Sequence, residues 1–188
     1  TLDCSLSDDE LREVARMLRP YGRMTIRINH ECGGTWFTHN KRFTYEQVGK
    51  FFAHFSDIIH QEAPNVRTVF CAGFAQADGK LEKEDEFAVA YRAADVWSAD
   101  CYLALHYGWP YDVAEVGGGQ YKADSVGMYY DLFRRTYERA SSQFGSKPLV
   151  TAEFNTDGDV TGPRHQGESV IRFAEAFRDH QADWFKAI

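Results

Sequence analysis

Residues 24–31 read MTIRINHE, and residues 32–37 continue CGGTWF. Apolar and polar side chains alternate along the first stretch, which is typical of a β-strand with one apolar face. Arg27, Asn29 and Glu31 share the polar face, and two glycines and two aromatic residues follow directly. We therefore predict a strand that ends in the carboxylate of Glu31, followed by a loop that contacts a ligand.

The composition is that of a globular protein with one sizeable core. The chain has 188 residues, of which 44% are hydrophobic and 26% charged. Its net charge of -7 argues against binding to nucleic acid or an anionic membrane, because those surfaces require clustered Lys and Arg. The apolar runs stay well short of the roughly 20 residues of a membrane span. The chain begins with Thr rather than Met, which predicts that it is processed or a fragment. The cellular location of the protein is therefore not readable from this N-terminus.

The four cysteines do not form a metal-binding pattern. They are isolated from one another, without a CxxC pair or a histidine at ligand spacing, so we expect neither a structural zinc nor any other cofactor. Cys71 and Cys101 fall in apolar, strand-like runs, which predicts buried free thiols.

Strand and helix patterns alternate along the chain. Capping boxes at Ser7 and Thr44 predict helices that end near Leu18 and Ala63. Further helices are predicted over residues 82–94 and 125–144 and around Val170–Phe177. Strands are predicted at residues 24–31, 65–74, within 96–107, at 148–155 and at 183–188. This alternation predicts one α/β domain over residues 1–188, with parallel strands.

The loops that follow the predicted strands are long, whereas the loops that lead into them are short. In parallel α/β folds, ligands bind on the longer loops, at the C-terminal ends of the strands. Glu31, Tyr107, Trp109 and Glu153 are therefore expected on one rim. Two carboxylates facing each other across an aromatic rim suit glycosidic bond cleavage, in which one protonates the leaving oxygen and the other attacks or activates water.

Two motifs carry a family resemblance. RINHE at residues 27–31 with GTWF at 34–37, and VTAEF at 150–154, resemble the two catalytic strands of retaining glycoside hydrolases with a (β/α)8, or TIM, barrel. The sequence is most similar to glycoside hydrolase family 26, which includes β-mannanases. The resemblance implies that Glu31 is the general acid/base on the fourth barrel strand. It implies that Glu153 is the nucleophile on the seventh.

The resemblance also implies roles for residues around this pair. Tyr107 would donate a hydrogen bond to the nucleophile, His30 would contact the attacked sugar, and Trp36 would be a stacking platform. The other predicted substrate-binding residues are Arg27, Asn29, His106, Trp109 and Asn155. Together they predict an endo-acting, retaining β-glycanase that cleaves an oligo- or polysaccharide such as β-mannan, β-glucan or β-xylan. This substrate class suggests an extracellular or periplasmic location.

The pattern accounts for only part of a barrel. A closed barrel has eight strands and about 250 residues, whereas the sequence predicts about five strands, matching strands four to eight. Open strand edges are an aggregation hazard unless another element pairs with them. We expect the other strands to come from another chain, or to have been lost from a longer chain, with a second copy as a less favoured source.

Two other functions fit parts of the pattern. The first is a metal-dependent barrel, such as a sugar isomerase, with His30, Glu31, His106 and Glu153 as ligands. Neighbouring residues of a strand point to opposite faces, which makes joint ligation by His30 and Glu31 awkward. The second is a non-catalytic, carbohydrate-binding half-barrel that keeps the aromatic residues.

Overall fold

A computed structural model of the protein describes residues 5–36, 41–103, 124–155 and 163–188, with backbone alone at 124–128, 163 and 165. Helices and strands alternate along these ranges. The helices are α1 (Asp8–Leu18), α2 (Tyr45–Glu62), α3 (Ala88–Ala93), α4 (Asp124–Phe144) and α5 (Pro163–Asp179). The strands are β1 (Met24–Arg27), β2 (Val66–Phe70), β3 (Val96–Ser98), β4 (Cys101–Tyr102), β5 (Leu149–Val150), β6 (Phe154–Asn155) and β7 (Phe185–Ala187).

The first two long helices begin at the predicted capping boxes. The Ser7 hydroxyl accepts a hydrogen bond from the Glu10 amide, and Thr44 and Gln47 make the equivalent pair before α2. These bonds satisfy amides that have no partner within the helix, so the helix start is encoded locally. The ends of α1 and α2 fall within one residue of the predicted ones, which confirms both predictions.

The main sheet is parallel throughout. Its strand order is β1-β2-β3-β5-β7, and β4 pairs with β6 in a short parallel extension beyond β3 and β5. Neighbours in the sheet follow one another along the chain with helices between them, which is the connectivity of a (β/α)8 barrel. All C-terminal strand ends therefore lie on one rim.

An aromatic core fixes the strands to their helices. The Phe70 ring of β2 lies 4.7 Å from Phe52 of α2, 5.2 Å from Phe87 and 4.9 Å from Tyr91 of α3, measured between centroids. All four side chains are fully buried. Truncating one such ring costs about 3–5 kcal/mol, so this cluster holds β2, and the rim loop after it, firmly in place.

Several predicted elements are too long. The strand predicted at residues 24–31 ends at Arg27, because Asn29 and Glu31 have φ of 58° and 42°, which is incompatible with an extended strand. The second strand ends at Phe70, and α3 begins at Ala88 rather than 82. The strands predicted within 96–107 and at 148–155 are each two short segments. Among helices in the described ranges, none combines the length and apolarity that a membrane crossing requires.

Candidate active site

A tight turn follows β1 and carries three predicted site residues, Asn29, His30 and Glu31. The left-handed backbone of Asn29 and Glu31 reverses the chain, and two hydrogen bonds hold it, from Gly33 N to Ala72 O (2.7 Å) and from Gly34 N to Glu31 O (3.0 Å). Non-glycine residues adopt this conformation at a cost of about 1–3 kcal/mol, and such strain is concentrated at functional sites. The turn brings His30 and Glu31 to the same side, so the argument from opposite strand faces is wrong.

The two glycines of this turn are required by close packing. A Cβ at Gly33 would lie 2.6 Å from Cγ of Glu82 and 2.8 Å from the Ala72 carbonyl oxygen. A Cβ at Gly34 would lie 2.2 Å from the Trp36 ring. The indole therefore folds over Gly34, and its Nε1 donates a 2.7 Å hydrogen bond to Glu31 Oε2. Glu31 is 5% exposed, whereas Trp36 keeps 48% of its surface exposed.

Glu153 lies just before β6, held by its backbone. Its carbonyl oxygen accepts hydrogen bonds from Cys101 N (2.9 Å) and Thr151 Oγ1 (2.7 Å). Its carboxylate accepts from Tyr102 Oη (2.8 Å) and from Arg27. Partial burial raises the pKa of Glu153, but the Tyr102 hydrogen bond and the Arg27 hydrogen bond and charge outweigh it, so the pKa lies below its ordinary value.

The Arg27 guanidinium is the centre of the polar cluster. One terminal nitrogen donates to Asp100 Oδ1 (3.1 Å) and Oδ2 (3.4 Å), and the other contacts both His30 Nδ1 and Glu153 Oε1. Its planar donors hold three groups from different strands in fixed positions. Arg27 therefore stabilises negative charge at the rim.

Asp100 is a buried carboxylate that the sequence reasoning missed. Its side chain is fully buried, and its amide donates to Gly73 O (3.0 Å). Burial raises the pKa of Asp100 to about 7, Arg27 opposes this shift, and the charges of Glu153 and Glu31 add to it. Asp100 and Tyr102 directly follow β3, so an earlier end to the predicted third strand would have placed both on the rim.

His30 connects the two predicted catalytic glutamates. Its Nδ1 lies 2.9 Å from Glu153 Oε1, and its Nε2 lies 3.9 Å from Glu31 Oε2. The carboxylates of Glu31, in the turn after β1, and of Glu153, just before β6, thus lie near different nitrogens of one imidazole. The structure brings together Arg27, His30, Glu31 and Glu153, of which the rim argument named Glu31 and Glu153.

The other predicted site residues are placed less centrally or fall elsewhere. Asn29 is half-buried, and its Oδ1 has no hydrogen-bond partner among the described residues. Asn155 is exposed and accepts a hydrogen bond from Gln166 of α5 (3.3 Å). The predictions for His106, Tyr107 and Trp109 lie outside the described residues. Within the described ranges, the tyrosine that donates to Glu153 is Tyr102.

A pocket of about 470 Å³ opens beside this cluster. It is formed by loops after β1 and β2, by β4 and by α4. Its lining is Trp36, Phe74, Ala75, Gln76, Ala77, Glu82, Asp100, Cys101, Tyr102, Tyr129, Leu132 and Phe133. A larger depression of about 740 Å³, between α5 and β7, contains none of the rim carboxylates. The smaller pocket combines aromatic faces with a few polar groups, as sugar sites do.

Three side chains at the rim carry atoms that could bind a metal ion. His30, Asp100 and Glu153 have ligand atoms within 4.8 Å of one another. However, the Arg27 guanidinium hydrogen-bonds to all three groups. A divalent cation would face this fixed positive charge at close range. The arrangement does not fit a metal centre, which disfavours the metal-dependent alternative.

Buried thiols surround the site without taking part in it. Cys32, Cys71 and Cys101 are free and buried, as predicted for the last two. Burial raises the pKa of Cys32 to about 12, and it also raises the pKa of Cys71 and of Cys101. These groups stay protonated near neutral pH, so none is an activated nucleophile.

Comparisons with known proteins find a likeness in the fold. No family model and no curated protein matches the chain. Several solved structures do match the chain. The β-D-glucuronidase of Dictyoglomus thermophilum aligns with a TM-score of 0.58 and 15% identity, over 96% of this chain and 28% of its own.

Two further structures align over nearly the whole chain. BuGH86wt in complex with neoagarooctaose has a TM-score of 0.63 and 11% identity, over 100% of this chain and 34% of its own. The GH53 catalytic domain of Ignisphaera aggregans has a TM-score of 0.56 and 15% identity, over 98% of this chain and 54% of its own. The chain therefore spans between 28% and 54% of the length of these similar structures.

At these identities the likeness defines the fold. The chain has the α/β fold of a partial (β/α)8 barrel, and the structures that share it are glycoside hydrolases. The predicted fold class is confirmed.

Proposed function

We propose that the protein is an endo-acting, retaining glycoside hydrolase, with Glu31 as general acid/base and Glu153 as nucleophile. The observation that carries this proposal is the placement of both carboxylates around the His30 ring, with different neighbours. Glu153 accepts hydrogen bonds from a cation and a phenol, while Glu31 accepts one from a neutral indole. Two carboxylates in unlike environments are what acid and nucleophile roles require.

The reaction would proceed by double displacement. A proton on Glu31 passes to the glycosidic oxygen while Glu153 attacks the anomeric carbon, so the carbon–oxygen bond breaks and a glycosyl ester of Glu153 forms. Glu31 then takes a proton from water, which attacks the same carbon and releases Glu153. Arg27 and Tyr102 stabilise Glu153 as an anion before the attack and after its release.

Two further observations support a carbohydrate substrate. The pocket beside Glu31 has an exposed indole, and aromatic faces stack on the apolar faces of sugar rings. One of the similar structures holds neoagarooctaose, an oligosaccharide. We propose a β-linked polysaccharide such as β-mannan, β-glucan or β-xylan.

The remaining barrel strands are proposed to come from outside this stretch of chain. β1 and β7 are the outer strands of the sheet order, and a barrel closes only when its first and last strands pair. Another chain, or further sequence of a longer protein, would supply the pairing strands. This proposal is wrong if the 188-residue chain alone is monomeric, compact and unfolds cooperatively, as measured by light scattering and denaturant titration.

The test of function is hydrolysis of the three polysaccharides with the product anomer followed by NMR. Retention of configuration is the expected result, together with internal cleavage products on chromatography. An inverted product would overturn the double displacement, because inversion requires a single displacement by water. The test is run on this chain and on the longest soluble form that contains it.

A further inference from the structure

The loop between β2 and α3 presents a carboxylate–amide pair to the pocket. Gln76 Nε2 donates a hydrogen bond to Glu82 Oε2, and both side chains line the pocket together with Trp36, Phe74 and Tyr129. Nothing in the proposed displacement uses either group. In the described ranges, no Lys, Arg or His forms a salt bridge with Glu82, although the charge of the neighbouring Lys83 acts on its carboxylate.

This pair lies next to the proposed acid/base. The Glu82 side chain passes over Gly33 and Gly73, where a Cβ would lie 2.6 Å and 3.1 Å from Glu82 Cγ. Gly33 is two residues from Glu31. Burial raises the pKa of Glu82, the charge of Lys83 opposes this shift, and the charges of Glu86 and Glu31 add to it. Two glycines at strand ends thus leave room for this carboxylate at the rim.

The loop is held rigidly although its pocket face is polar. Tyr91 Oη donates to the Glu82 carbonyl oxygen (2.7 Å), and the buried Glu84 accepts from Leu81 N (3.2 Å) and from Arg139 Nε (2.7 Å). These bonds fix the backbone on both sides of Glu82. A binding group held in place by neighbours loses little entropy when a ligand arrives.

The geometry points to Glu82 and Gln76 as specificity-determining residues for the sugar on the leaving-group side, an inference that rests on the proposed function. Glu31 protonates the leaving oxygen, and the pocket adjoins Glu31 through the Trp36 indole. A sugar bonded to that oxygen would stack on Trp36. Its hydroxyls would donate to Glu82 and accept from Gln76.

The charged side chains of the pocket limit the class of sugar that can bind. Glu82 and Asp100 both line the pocket, and no described Lys or Arg side chain does. Beside Glu82, an anionic sugar such as a uronate would be repelled and would lose hydration, because the nearby Arg27 guanidinium is already bonded to Asp100 and Glu153. The pocket therefore selects a neutral sugar with free hydroxyls.

The experiment compares two substrates that share the attacked sugar. One is a neutral oligosaccharide, whose leaving group is a sugar, and the other is the matching 4-nitrophenyl glycoside. Glu82→Gln should lower kcat/KM for the oligosaccharide about 10- to 100-fold, the loss expected for a hydrogen bond to a charged group. The nitrophenyl substrate should change less than about twofold, because it places no sugar in the pocket.

Glu86→Gln is the matched control, since it makes the same chemical change at an exposed position of the same segment. Both substrates should be unaffected by it, and Gln76→Ala should reproduce the selective loss. An equal loss on both substrates, or no loss on the oligosaccharide, would overturn the inference. Thermal melting of each variant separates these results from misfolding.

Failure of the proposed function gives a different result. In that case the wild type cleaves neither substrate, and the pocket is then tested by calorimetry with the oligosaccharide. A tenfold weaker affinity in Glu82→Gln would still support a sugar site at this loop. Unchanged affinity would overturn it.

Discussion

Glu31 and Glu153 contact the same imidazole, yet their surroundings differ in charge. Glu153 receives hydrogen bonds from Arg27 and Tyr102, and its pKa is lowered as a result. Glu31 is nearly fully buried and accepts the indole hydrogen bond of Trp36. The fold therefore concentrates a cation and a phenol on Glu153, whereas Glu31 accepts a hydrogen bond from a neutral indole. This division is the physical basis for assigning the nucleophile to Glu153.

The largest expected effect is the loss of the nucleophile itself. Glu153→Gln keeps the shape of the side chain and should lower kcat by at least about 10⁴-fold, because no glycosyl ester can form. Binding of an oligosaccharide, measured by calorimetry, should be retained. A non-catalytic sugar-binding module would show no turnover in either form. Substantial turnover in the variant would break the assignment of roles.

Replacing Arg27, the cation that donates to Glu153, should have the next largest effect on kcat. Arg27→Met leaves Glu153 without its charged donor and should lower kcat about 10²- to 10³-fold, the typical loss of an electrostatic stabiliser. Steady-state kinetics on a nitrophenyl glycoside measure this. Arg16→Met, on the exposed surface of α1, is the control. A small effect would show that the charge difference between the two carboxylates does not matter for catalysis.

Asp100 should make stability fall as pH rises. Its folded pKa of about 7 lies above its ordinary value of 3.8, so the folded state keeps a proton that the unfolded state releases. Between pH 5 and pH 7 the free energy of unfolding should drop by about 2 kcal/mol from this group.

Asp100→Asn should remove that slope in urea titrations, since the amide does not ionise. The exposed Asp85→Asn should leave the slope unchanged. An unchanged slope in Asp100→Asn would mean that Asp100 is ionised in the folded protein. The Arg27 charge would then be shared more evenly between Asp100 and Glu153.

The smallest effect is expected at the phenol. Tyr102→Phe removes one donor to Glu153 and should lower kcat/KM about tenfold. Because Glu153 acts as an anion, activity is lost as the pH falls through its pKa, which lies below the ordinary value of 4.5. Without the donor the pKa rises, so the acidic limb of the kcat/KM profile should move to higher pH. If the acidic limb does not move, it reports the titration of a group other than Glu153.

Structural features that depend on residues close together in the sequence were predictable from it. The capping boxes at Ser7 and Thr44, the alternation of strands and helices, and the carboxylates near strand ends all depend on short-range patterns. They were enough to predict a parallel α/β domain with Glu31 and Glu153 on one rim, and the family resemblance then implied a partial (β/α)8 barrel. The catalytic roles of these two residues stay predictions.

Only the tertiary structure decided which side chains at the rim contact one another. Arg27 bonds to Asp100, 73 residues away, and to Glu153, 126 residues away, and no local pattern encodes such partners. The positive φ of Asn29 and Glu31 is equally invisible to an alternating pattern, and the turn that contains them is held by a hydrogen bond from Gly33 N to the distant Ala72 O. The sequence determined which residues reach the strand ends, whereas long-range packing determined the turn that groups them and the charge that each carboxylate meets.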